Sequence, residues 1–119
     1  MSKITKEYDL EKRTLQFAAK VRAFVKRIPR TIGNREDGAQ LIRSSGSVGA
    51  NYIEANESLS KKDFLLRIKI SRKEAKESQY WLQLIDVGGD TSTKDECQVL
   101  LVEAKELTLI FSSIMRKSQ

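Results

Sequence analysis

The chain has 119 residues, near the commonest size of one domain and long enough to bury a core without disulfides or metal. With 39% hydrophobic and 32% charged residues, one proline and six glycines, the composition argues against disorder and against an all-β fold with its many turns. Lysine and arginine total 22 against 16 acidic residues, a net charge of +6 that favours an acidic partner, and the absence of histidine removes the commonest general acid–base group.

The amino terminus, residues 1–13, carries no apolar run behind its basic residues, so secretion and membrane insertion are disfavoured. A single cysteine, Cys97, forms no intrachain disulfide and starts no zinc site, and a reducing cytoplasm is the expected compartment. The first helix is predicted over 9–28, because Leu10, Thr14, Phe17, Val21, Phe24 and Ile28 recur with spacings of four and three. Pro29 forbids its continuation.

A second helix is predicted over 35–58. Gly38, Leu41, Ser45, Val48, Tyr52 and Ala55 mark one face, with Ile42, Gly49 and Ile53 at its shoulder. Glycines inside a helix cost about 1 kcal/mol each relative to alanine, so Gly46 and Gly49 call for a packing reason. The third helix, over 61–87, opens with a capping box from Ser60 to Asp63. Its row of Phe64, Ile68, Ser71, Ala75, Ser78, Leu82 and Ile85 is large at the ends and small in the middle. Ser45 and Gly49 are therefore expected to meet Ser71, Ala75 and Ser78, and Gly49→Leu to overpack that contact.

Gly88 and Gly89 are expected to stop the third helix, and a capping signal from Thr93 to Glu96 to open a fourth over 94–116. That last helix holds more apolar surface than one inward stripe can use, which predicts packing between subunits. The expected fold is one all-α domain spanning 1–119, an antiparallel up-down-up-down four-helix bundle that forms a homo-oligomer.

Charge is uneven along the chain. Residues 1–35 hold ten basic and three acidic side chains, and residues 86–106 hold six acidic and two basic ones. Arg22, Lys26, Arg27 and Arg30 close the first helix, and Lys69, Arg72, Lys73 and Lys76 share one face of the third, two candidate phosphate-binding groups. The bland alternative is helix-dipole complementation and ordinary solvation. With no exposed aromatic platform expected beside them, backbone electrostatics is the expected mode, with steep salt dependence.

Other chemistry is poorly supported. Glu74 and Glu77, three residues apart, are read as partners of Arg43 in an ion pair between the second and third helices. A di-metal carboxylate bundle needs a glutamate–histidine pattern that this chain cannot supply, so no metal or cofactor is expected. Cys97, lacking a histidine to activate it, reads as a buried structural thiol. The string from Gly46 to Gly49 matches the GxxG loop of KH modules without the strands that loop requires.

The segments QLIRSSGSVGANYIEAN at 40–56 and SKKDFLLRIKISRKEAKESQYWLQLI at 60–85, with DLEKRTLQFAAKV at 9–21, resemble the bacterial four-helix bundle family encoded by 23S ribosomal RNA intervening sequences, also called S23 ribosomal proteins. The resemblance covers nearly the whole chain and weakens in the last helix. It implies a bundle assembled as a ring-shaped homopentamer, similar to the accessory protein of diversity-generating retroelements, which binds nucleic acid through basic surfaces. It brings no catalytic residues.

The expected function is therefore a non-enzymatic, oligomeric protein that binds structured RNA or other nucleic acid, with no membrane or small-molecule partner. The contrasting expectation is a protein–protein scaffold whose positive face meets an acidic partner.

Overall fold

The computed structural model describes the backbone of residues 3–119 and the side chains of residues 10–119. Lys3 and Lys6, part of the basic amino-terminal third, have side chains outside the described residues. Four helices follow in order: α1 Lys3–Arg27, α2 Ile32–Asn56, α3 Lys61–Leu84 and α4 Thr91–Lys117. Among the described residues there are no strands, and no helix is long and apolar enough to cross a membrane.

Each helix packs on its neighbour in sequence, and α4 closes the ring onto α1, leaving α1 and α3 diagonally opposed. Cross-helix partners run in opposite directions along the chain, which makes the neighbours antiparallel. Arg13 bonds Glu103 and Arg27 bonds Glu96 between α1 and α4, while Ser44 meets Ser78 and Asn51 meets Arg67 between α2 and α3. The connections at 28–31, 57–60 and 85–90 are short, as antiparallel neighbours allow.

The core is drawn from the heptad rows. Phe17, Val21 and Phe24 of α1, Leu41 and Val48 of α2, Ile68 and Ala75 of α3, and Ala104, Leu107 and Phe111 of α4 are almost wholly buried. Tyr52 packs edge-on against Phe111 with ring centroids 5.7 Å apart, a favoured aromatic geometry. Small residues let α2 and α3 approach closely: the Ser44 and Ser78 hydroxyls share a 2.8 Å hydrogen bond, and the Ser71 hydroxyl donates to the Val48 carbonyl at 2.9 Å.

Gly49 serves a different contact from the one its spacing implies. A Cβ there would lie 2.7 Å from Thr14 Oγ1 and 3.1 Å from Thr14 Cβ, so its missing side chain admits α1, and Ser44 takes its place against α3. Both glycines and the string between them lie inside α2, so no GxxG loop forms.

Helix ends differ from the expected bounds for local chemical reasons. Thr31 caps α2 by accepting from the Asn34 amide at 3.0 Å, so that helix starts three residues before the expected 35. Ser60 caps α3 as expected, accepting from the Asp63 amide at 3.0 Å. That helix ends at Leu84, ahead of the glycines, because residues 85–87 already run as connection. Asp90, rather than Thr93, caps α4: its carboxylate accepts from both the Thr93 amide and the Thr93 hydroxyl. Those two bonds, the hydroxyl first, hold the Asp90 carboxyl below the usual aspartate range.

One buried side chain ties two connections together. Asn34, 4% exposed, donates from Nδ2 to the carbonyls of Pro29 and Asp86 and accepts at Oδ1 from the Asp86 amide. The same end of the bundle brings Gly88 against the Pro29 ring; its φ of +72° and a would-be Cβ 3.0 Å from Pro29 Cγ both require glycine.

Candidate nucleic-acid interface

The outward face of α3 carries a cluster of four cations. Lys69, Lys73 and Lys76 recur about once per helical turn of ~5 Å and are exposed, with Arg72 half-buried beside them. With Glu77 and Tyr80 they line a shallow open groove of about 450 Å³. The Arg72 Nε–H is buried and has no acceptor within the protein.

An acid in such a groove would repel an anion, but Glu77 is engaged elsewhere. Arg43 of α2 donates to Glu77 and, at 3.3–3.4 Å, to both oxygens of Glu74, while the Trp81 indole N–H donates to Glu77 Oε2 at 3.0 Å. Burial lowers the Arg43 pKa, and the charges of Glu74 and Glu77 outweigh that and raise it. The structure thus brings Arg43, Glu74 and Glu77 together across α2 and α3. Because Arg43 is half exposed, the pair is screened and adds little to stability.

Tyr80 was not legible as part of this surface. It is 58% exposed, one turn beyond Lys76, with its ring edge-on to Trp81 at a centroid distance of 5.0 Å. An aromatic platform therefore does accompany the basic face. The signal in the sequence was the spacing from Lys69 through Arg72, Lys73 and Lys76 to Tyr80, which keeps all five on one stripe.

The α1 group is arranged differently. Arg27 is bonded to Glu96, and Arg22 donates to the Ala18 carbonyl of its own helix at 3.1 Å, leaving Lys26 and Arg30 exposed with no acidic partner among the described residues. Arg13 donates to Glu103 and Glu106, and its hydrogen bonding to Glu103 is the chief reason its pKa is raised. Part of the charge asymmetry between the ends of the chain is therefore satisfied by ion pairs between α1 and α4, through Arg13 and Arg27. Arg22, Lys26 and Arg27 lie on α1, diagonally opposed to α3, and Arg30 lies in the connection after α1.

Cys97 is buried, donates to the Leu82 carbonyl at 3.4 Å, and has its pKa raised, first by burial and then by Glu96. The thiolate that a nucleophile needs is disfavoured there. Among the described residues no group of three or more acidic, cysteine or histidine side chains is placed to hold a metal ion.

Fold and surface together define an antiparallel four-helix bundle with a basic outer groove on its third helix. The chain belongs to the 23S rRNA-intervening sequence protein family, whose model matches residues 6–113. It is similar to a protein of unknown function from the S23 ribosomal protein family of Bacteroides thetaiotaomicron VPI-5482. The crystal structure of that protein matches with a TM-score of 0.75 at 25% identity, covering 93% of this chain and 98% of that one. A search of curated proteins gives no match.

Proposed function

We propose that this is a non-enzymatic, cytoplasmic, oligomeric protein that binds structured RNA through the outer face of α3. The observation that carries the reading is the groove itself: four cations on successive turns, with the one acid among its lining residues held by Arg43 and Trp81. Such a row suits a phosphate backbone, which presents regularly spaced negative charge. Lys26 of α1 and Arg30 of the connection after it are a lesser contribution on the opposite corner.

Assembly into a homo-oligomer, a pentamer by family resemblance, is supported by Val99, Val102 and Leu109, which are 63%, 51% and 69% exposed on α4. The same row favours the second reading, a scaffold for protein partners in which nucleic acid plays no part.

Replacing Lys69, Arg72, Lys73 and Lys76 by glutamine should lower affinity for a structured RNA by at least about tenfold at moderate salt while leaving helicity by circular dichroism unchanged. Replacing Arg22, Lys26 and Arg30 instead should change it far less. Fluorescence anisotropy separates the two variants, and full retention of affinity in the α3 variant would remove the interface from this helix.

A further inference from the structure

Resting on phosphate contact by α3, we infer that the groove takes an unpaired nucleotide, its base stacked on Tyr80 and its flanking phosphates on Lys73 and Lys76. The ligand is thus a single-stranded loop or bulge of RNA rather than a continuous duplex.

Three observations converge on this. Tyr80 exposes more than half its surface although an aromatic ring gains by burial, and it stands one turn from Lys76 and two from Lys73 on the same stripe. Its neighbour Trp81 packs edge-on against it and is itself pinned by the indole bond to Glu77, which Arg43 holds in turn. The Tyr80 ring is therefore held in a T-shaped contact with a fixed aromatic, so presenting it to a base costs little conformational freedom. The groove is also open to solvent along the helix, so a group laid across it meets no wall.

A paired base in an A-form helix keeps both faces stacked on its neighbours, and only an unpaired base offers one to a protein ring. Phosphate contacts alone do not favour an unpaired strand, since a duplex carries the denser charge. Tyrosine beside lysines thus adds a preference that the cations by themselves do not have.

The test compares an RNA hairpin carrying an unpaired loop with a fully paired duplex of equal nucleotide number, titrated into the wild type, Tyr80→Phe, Tyr80→Ala and the quadruple glutamine variant. Trp81, the only tryptophan, gives a second readout through its emission. The expected result is tighter binding of the hairpin, quenching of Trp81 by the hairpin alone, affinity kept in Tyr80→Phe, and a loss of about tenfold for the hairpin in Tyr80→Ala with duplex binding unchanged. Equal binding of hairpin and duplex, with Tyr80→Ala behaving as wild type and the glutamine variant still weakened, would overturn the stacking inference and leave phosphate binding in place. Binding of neither RNA would overturn both.

Discussion

Gly49→Leu should destabilise the bundle by about 2–3 kcal/mol, and Gly46→Ala on the same helix should stabilise it by up to about 1 kcal/mol. At position 49 even the first added carbon would sit 2.7 Å from Thr14 Oγ1, and Thr14 is fixed: it is 1% exposed, and its hydroxyl already donates to the Glu11 carbonyl at 2.9 Å. Relief requires α1 to move away from α2, which loosens the contacts of Phe17 and Val21 behind it. At position 46 the nearest atom is the Arg22 guanidinium at 3.5 Å, an ordinary contact at the end of a flexible, exposed side chain. There alanine only reduces the freedom of the unfolded chain and improves helix propensity. Urea denaturation of both variants beside the parent checks the pair. A neutral Gly49→Leu would mean that α1 and α2 do not approach as closely as Thr14 and Gly49 place them.

Asn34→Ala should cost about 2–4 kcal/mol, an effect out of scale with the loss of one small polar side chain. Three hydrogen bonds disappear together, and the Pro29 carbonyl, the Asp86 carbonyl and the Asp86 amide are left without a partner in a part-buried place. Because two of those bonds span 52 residues, from the start of α2 to the connection before α4, the loss should open one end of the bundle before the rest. Amide exchange at Asp86 would accelerate ahead of amides in the middle of α3. Asn34→Asp should fail to restore stability, since a carboxylate accepts from the Asp86 amide but donates to neither carbonyl.

These two positions also show where sequence reading reaches its limit. Heptad rows in α1 and α3 specify which side chains point inward, and the buried set of Thr14, Phe17, Val21 and Phe24, or of Ile68, Ser71, Ala75 and Ser78, follows directly from them. Spacing says which face Gly49 occupies but not which neighbour that face meets, and a shoulder residue of α2 borders both α1 and α3. Asn34 stands just before the expected helix start at 35, whereas Thr31 performs the capping three residues earlier and leaves Asn34 for a long-range bond. The spacing from Thr93 to Glu96 reads as a cap, and only the geometry shows that Thr93 donates to Asp90, which does the capping.

For the candidate interface, the cations of α3 were legible from their stripe, and the partners that decide their availability were not. Net charge alone gave the α1 group equal standing. Acidic α4 takes up Arg13 and Arg27, whereas the four cations of the α3 groove have only Glu77 among the residues that line it, and Glu77 is occupied. A tyrosine beside a tryptophan in a heptad helix ordinarily belongs to the core, and only the structure shows Tyr80 exposed while Trp81 packs against the core.

The salt dependence of RNA binding tests phosphate recognition by α3 most directly. With four phosphates engaged, the logarithm of the association constant should fall with the logarithm of salt at a slope near about −3, and the quadruple glutamine variant should bring that slope close to zero. Affinity that stays flat as salt rises, or a slope unchanged by the four substitutions, would contradict the account.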